Sequence, residues 1–307
     1  AIDLLKGMIS RPSFSREEGE TADFLKQSWE KAGYKVNRKG NNLWLIAPGF
    51  DLDKPTLLLN SHIDTVKPAS GWTKDPFNPE ETEDERLYGL GSNDAGASVV
   101  SLYEAFRVLS GKEQPYNLIF LASCEEEVSG KNGLESALAD LPPIAFAVVG
   151  EPTGMQAAAG ERGLVVLDCT AHGKSGHAAR GEGVNALYIA LEDIARLRSF
   201  RFERESELLG PVGIAVTQIE AGTQHNVVPD TCRFVADIRT TDAYTNEETV
   251  EILRGTLRSQ AVPRSTRIRA SALDAAHPLA RAAQAARRRS YVSPTTSDMA
   301  LMPFPSL

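Results

Sequence analysis

Three short apolar runs bounded by turn signals, 56–59, 117–122 and 144–149, most constrain how this chain folds. Runs of that length and character read as strands buried on both faces. Helical periodicity lies between them: Val99, Leu102, Phe106 and Leu109 mark one helix, and a shorter one covers 133–138. Continuous apolar strands alternating with helices predict an α/β unit with a mixed, mostly parallel sheet flanked by helices. Ligands of such sheets bind beyond the carboxyl ends of the strands. Upstream, strands are expected at 34–38 and 42–47. The first clearly punctuated helix is expected from Ser15, because Ser15 and Glu18 have capping-box spacing and Ala22, Leu25, Trp29 and Ala32 form one face before Gly33.

From Gly163 the pattern changes. A strand is expected at 164–171 and a helix at 184–197. Half-buried strands follow at 213–220 and 231–239, where apolar and polar residues alternate. Asn246 is expected to cap a helix carrying Val250, Leu253 and Leu257, and 265–270 alternates again. The order β-α-β-β-α-β is that of a ferredoxin-like α+β unit. The chain then returns to helix at 277–289 and to an apolar stretch at 299–304. The expected organisation is a catalytic unit in two parts, 1–161 and 272–307, with an inserted domain at 162–271.

Metal-binding side chains follow the apolar runs and punctuate a Gly-rich turn. They are His62 and Asp64 in LLLNSHIDTVKP, Asp94 in LYGLGSNDAG, Glu126 and Glu127 in IFLASCEEEVSG, and Glu151 in AFAVVGEPTGM. Each has a plain reading alone. An H-x-D pair is usually a surface loop, Asp94 suits a helix N-cap, and Glu125–Glu126–Glu127 suits a solvated acidic loop. Together they point to one crevice. The Asp of H-x-D can hold one imidazole N–H while the other nitrogen binds metal. A cation relieves the repulsion among adjacent carboxylates and leaves one free as a general base. The set is therefore read as a two-metal hydrolytic site. A metal-free hydrolase using paired carboxylates accounts poorly for the H-x-D segment. His177 in GKSGHAAR, Asn226 in QHNVVPD and Arg239 in FVADIR are unremarkable individually.

Composition removes other classes. A net charge of −8 and a pI of about 5.3 give no electrostatic support to nucleic-acid binding. The Arg287–Arg289 run, on an Ala-rich stretch, reads as a solvated face or helix end. No stretch is apolar enough to span a bilayer, and no signal-peptide pattern opens the chain. Cys124, Cys169 and Cys232 are odd in number, lack C-x-x-C spacing and sit in apolar runs. They are expected to be buried free thiols, which favours a reducing, cytoplasmic setting.

Taken in order, SHIDTV, GSNDAG, SCEEEVSG, VVGEPT, GKSGHAAR, HNVVPD and FVADIR resemble the zinc aminoacylase, acetylornithine deacetylase, succinyl-diaminopimelate desuccinylase and carboxypeptidase G family of metallohydrolases. The resemblance covers nearly the whole chain. It implies a di-zinc exopeptidase-like catalytic domain interrupted by a ferredoxin-like lid and dimerisation domain. It implies two divalent metal ions, zinc foremost with cobalt or manganese in substitution, a small N-acyl amino acid as substrate, and a homodimer formed through the lid. His62 and Glu151 then ligate the first metal, Glu127 the second, and Asp94 bridges both. Glu126 is the general base, Asp64 orients His62, and a cis peptide is expected at Asp94–Ala95. His177 resembles the lid histidine that reaches the partner subunit's site and stabilises the tetrahedral intermediate. Asn226 and Arg239 resemble substrate-contacting lid residues. Within the family, SCEEEVSGKNG and the AGERGL and DCTAHGKSGHAAR stretches are most similar to N-acetyl-ornithine or acyl-citrulline deacetylases of arginine biosynthesis. A dipeptidase or carboxypeptidase is the alternative, and an inactive binding homologue a further one. The resemblance also leads one to expect a late histidine on the second metal. His172, His177, His225 and His277 lie in no such motif, so the second site is expected to be completed beyond Leu307 or to be incomplete.

Overall fold

The computed structural model describes residues 1–293 and 295–307. It divides into one unit of Ala1–Ala157, Leu273–Ser290 and Ser297–Leu307, and a second of Ala158–Ala272 and Tyr291–Thr296.

The first unit is built on a five-stranded sheet ordered Asn37–Lys39, Asn42–Ile46, Asn117–Ser123, Thr56–His62, Phe146–Val149. Thr56–His62 pairs in parallel with both its neighbours. The Asn42–Ile46 side of the sheet is antiparallel. Thr56–His62 and Asn117–Ser123 are buried at every position, as strands covered on both faces must be. Helix Gly19–Lys31 buries Ala22, Leu25 and Trp29, and helix Gly96–Ser110 buries Val99, Val100, Tyr103 and Phe106. Trp29 stacks on Tyr103 and meets Phe120 edge-on, each at 5.4 Å between ring centroids. These rings anchor the core beneath the strands.

Register decides where the strands deliver their ends. His62 lies opposite Ser123, and Asn60 opposite Val149. The residues that follow all three strands therefore emerge at one edge of the sheet.

A helix at Ile2–Ile9, burying Met8 and Ile9 and lacking a side-chain cap, precedes the punctuated one, and one local expectation fails. Ser15 and Glu18 form no capping box: the helix starts at Gly19, with Glu18 as its N-cap and no side-chain cap bond. Both side chains are taken by distant partners, Ser15 by Asp64 and Glu18 by the Glu125 amide.

The second unit has an antiparallel sheet ordered Gly213–Ala221, Thr231–Thr240, Gly163–His172, Gln260–Pro263. Helices Ala186–Ser199 and Asn246–Thr256 complete the ferredoxin-like order. Its core gathers Val165, Leu167, Ala190, Leu197, Phe234 and Leu253. The cap of the second helix is Thr245, in a capping box with Glu248, rather than Asn246. Asn246 is buried, and its amide donates to the carbonyls of Thr266 and Ile268. The Ile268 carbonyl also accepts the Leu164 amide at 3.0 Å, but 265–270 forms no strand and the ladder ends at Gln260–Pro263. A further strand, Ala157–Glu161, lies between Ser271–Ala272 and Ser290–Ser293. Its Ala-rich sequence carries no strand signal. Helix Pro278–Ala285 is shorter than expected, and Arg287–Arg289 lies beyond its end. Among the described residues, no helix is long and apolar enough to cross a membrane.

Candidate metal centre

His62 is the last residue of a buried strand, and its ring is almost wholly enclosed. Its Nδ1 lies 2.9 Å from the Asp64 carbonyl oxygen and 3.5 Å from the Asp64 carboxylate. The backbone carbonyl is thus the nearer acceptor, and it places the proton on Nδ1. The lone pair of Nε2 then faces Asp94 Oδ1 at 3.1 Å. Two acceptors at that distance require a proton or a cation between them.

Asp94 reaches this position from a Gly-rich turn. Gly91 has φ +73°, and a Cβ on Gly96 would run into the Gly91 carbonyl, so the turn admits no larger residue. Asp94 caps no helix: the N-cap of Gly96–Ser110 is Ala95, with no side-chain cap bond. The Asp94–Ala95 peptide is cis.

The Glu126–Glu127 segment follows strand Asn117–Ser123 and is held from beneath. Asp64 accepts the Glu126 amide at 3.0 Å, the Glu127 amide at 3.1 Å and the Ser15 hydroxyl at 2.8 Å. Donor atoms of His62, Asp94 and Glu127 lie within 4.8 Å of one another. Glu126 and Glu151 carboxylate oxygens stand 4.0 and 3.9 Å from His62 Nε2. The structure therefore gathers His62, Asp64, Asp94, Glu126, Glu127 and Glu151 at the carboxyl edge of the sheet.

The charges are unbalanced without a cation. Burial, more than anything else, pushes Glu126 up to about 9; His62 opposes this, while Asp298, Glu151 and Asp64 add to it. Burial also raises Glu127, which Asp94 and Asp64 reinforce against His62. Burial pulls His62 down, but bonds to Asp64 and Asp94 and the charges of Glu126 and Glu151 carry it well above its ordinary value. Asp64 runs the other way: burial raises it, yet His62, Ser15 and the Glu126 amide hold it below the usual carboxylate range. Among the described residues, no lysine or arginine pairs with Asp64, Asp94 or Glu126. An imidazole lone pair and clustered carboxylates lacking a cationic side chain fit divalent metal.

Asp298 is a member of this neighbourhood that the sequence reading missed. It is fully buried, its charge helps to raise Glu126, and burial pushes it up to about 6. It accepts the Ser123 hydroxyl at 2.6 Å and, in the amide orientation that satisfies its neighbours, Asn60 Nδ2 at 3.1 Å. The one available signal was an acid at the head of the apolar DMALMP run.

The remaining candidates lie in the second unit. His177 is exposed on a short strand paired with Val227–Val228, and its Nδ1 accepts the Ala179 amide at 3.2 Å. The Asn226 carbonyl accepts the Ala178 amide, so these two loops are neighbours. Arg239 is held by both carboxylate oxygens of Asp237, at 2.8 and 3.2 Å. In the first unit, His277 caps a helix through Nδ1 and packs against the Phe146 ring.

A family model for a peptidase dimerisation domain matches residues 159–265, and a model for peptidase family M28 matches residues 42–143. An acetylornithine deacetylase from Vibrio vulnificus is 28% identical over 285 residues, which cover 84% of this chain and 72% of that protein. A succinyl-diaminopimelate desuccinylase from Sulfurimonas denitrificans is 29% identical over 269 residues, covering 83% of this chain and 72% of that protein. A tripeptidase structure from Staphylococcus aureus superposes with a TM-score of 0.76 at 20% identity, covering 99% of this chain and 87% of that one, a likeness of fold. With these relatives, that fold and a metal-donor group at the sheet edge, the chain is a metal-dependent hydrolase of the amidohydrolase and peptidase type, similar to the M20 peptidases and matching their dimerisation domain.

Proposed function

We propose that this hydrolase removes the acyl group from an N-acyl amino acid, with N-acetyl-ornithine or an acyl-citrulline as the foremost substrates. The observation that carries the reading is the approach of His62, Asp94 and Glu127 donor atoms to within 4.8 Å, with Glu126 beside them. In this reading His62 and Glu151 hold one divalent cation, Glu127 the other, and Asp94 both, zinc being the metal that suits a set with imidazole. Bound cations would acidify water and polarise the acyl carbonyl. Glu126 accepts the proton of the attacking water and returns it to the leaving amine. Asp64 fixes the His62 tautomer through its carbonyl. Because His177 Nδ1 accepts a backbone amide, its neutral ring carries the proton on Nε2, the donor that a developing oxyanion needs. Asn226 and Arg239 are assigned to substrate contact, with Arg239 exchanging Asp237 for a substrate carboxylate.

The two relatives support acyl-amide chemistry and do not choose between acetyl and succinyl groups. A dipeptidase or carboxypeptidase is the second reading, favoured by the fold it shares with a tripeptidase. A homodimer is favoured by the dimerisation-domain match, and a reducing, cytoplasmic setting by three buried free cysteines. The test compares turnover of N-acetyl-ornithine, N-succinyl-ornithine, N-acetyl-citrulline and dipeptides by zinc-loaded protein. Turnover of dipeptides alone would hand the case to the second reading. Glu126→Gln should abolish turnover while zinc content is kept, and an active variant refutes the assignment of the base.

A further inference from the structure

Glu18 stands outside every role assigned so far. It is a carboxylate with no exposure at all, at the start of helix Gly19–Lys31. No lysine or arginine pairs with it among the described residues. Its Oε1 accepts the Arg16 amide at 2.6 Å and the Glu125 amide at 3.1 Å, and its Oε2 accepts Asn41 Nδ2 at 2.8 Å. Asp64 takes the next two amides, those of Glu126 and Glu127. Three consecutive backbone N–H groups are thus held by two buried carboxylates from separate parts of the chain. Removing a buried acceptor costs most, because the donors it held are left unsatisfied.

The turn itself needs such support. Glu125 sits at φ +56° and Ser129 at φ +45°, conformations that side chains other than glycine rarely adopt. The Glu125 carboxylate accepts Asn132 Nδ2 at 3.1 Å, and the Gly130 amide donates to the Glu125 carbonyl at 2.8 Å. A Cβ at Gly130 would run into the Glu125 carboxylate. The loop is therefore closed tightly around Glu125, and the grip on its amide sets where Glu126 and Glu127 point.

We propose that Glu18 is a positioning residue for the Glu126–Glu127 loop, acting through the Glu125 amide in concert with Asp64. The inference rests on the reading of Glu126 as base and Glu127 as metal ligand for its consequence in turnover, and on geometry alone for its consequence in the loop. The test measures amide hydrogen exchange across 124–128 in zinc-loaded wild type, Glu18→Leu and Glu18→Gln, beside zinc affinity by chelator competition and kcat and KM. Loss of one such bond is expected to speed exchange at Glu125–Glu127 by about tenfold or more in Glu18→Leu, with strand Gly163–His172 unchanged. Zinc affinity and kcat should fall by about tenfold, with KM within about twofold. Glu18→Gln retains an acceptor oxygen and should restore most of each. If Glu18→Leu does not fold, Glu18→Asp, which withdraws the acceptor by one methylene, carries the same expectation. Unchanged exchange at 124–128 overturns the proposal whatever Glu126→Gln does. Faster exchange together with an active Glu126→Gln variant would instead overturn the assigned base and leave the role of Glu18 standing.

Discussion

Ser123 donates a 2.6 Å hydrogen bond to Asp298 across 175 residues of chain, joining the end of a central strand to the last segment of the first unit. Asn60, on the neighbouring strand, turns its amide to the same carboxylate. Asp298 thereby ties two adjacent strands together near the ends from which the acids follow. Asp298→Ala leaves the Ser123 hydroxyl and the Asn60 amide buried without this acceptor, at about 1–3 kcal/mol for each group left unsatisfied. Urea unfolding should show that loss, and Asp298→Asn should lose less because its amide oxygen still accepts. Equal stability of Asp298→Ala and wild type would show that the bond is not sustaining the strand ends.

Asp64 is asked to do more than orient an imidazole. Besides facing His62 Nδ1, its carboxylate receives Ser15 Oγ and the amides of Glu126 and Glu127. Asp64→Ala keeps the backbone carbonyl that holds His62 Nδ1 but removes the carboxylate that faces the ring and holds the acidic loop, and zinc affinity should fall by about 10–100-fold. Asp64→Asn puts an NH2 group toward an N–H donor and should be nearly as damaging. Chelator competition with zinc checks both, and wild-type affinity in either variant would refute the assignment.

These two residues show what was legible beforehand. The strands ending at His62 and Ser123 could be read because continuous burial demands a continuous apolar run, which is a local property. Residues that follow such runs were legible for the same reason. Asp298 had no comparable signal, since its meaning comes from Ser123 and Asn60, which the fold brings to it. Ser15 and Glu18 were misread because capping-box spacing is also local, whereas their side chains serve partners 49 and 107 residues away. Asn246 was misread by one position: Thr245 supplies the cap, and Asn246 is spent on two carbonyls of the following segment.

Cations should stabilise the first unit by mass action. Glu126 and Glu127 are raised by burial among other carboxylates, a cost that bound metal relieves. Zinc at about 100 times its dissociation constant should add about 2.7 kcal/mol, and EDTA should remove it. Thermal unfolding with and without EDTA reads the difference. An unchanged midpoint would count against a metal-holding centre.

Cys169 tests burial in the second unit independently of any chemistry at the metal centre. It is 1% exposed on strand Gly163–His172, and burial first, then the charges of Asp168 and Asp193, push it up to about 12. Cys124 is likewise carried to about 12, and burial raises Cys232. Thiolate is the reactive form, so a disulfide reagent at about pH 8 should find no fast-reacting thiol in the native protein and three after unfolding in urea. The pH dependence has a definite sign. A thiol whose folded pKa lies above its unfolded value supports the fold fully below the unfolded value, and that support is lost as pH rises toward the folded value. For Cys169 the window runs from the ordinary thiol value of about 8.5 upward. Urea midpoints should therefore fall between about pH 8 and about pH 10.5, and Cys169→Ala should flatten that fall even though its cavity lowers stability at every pH. An identical slope in the variant would mean that Cys169 gains no proton affinity from the fold.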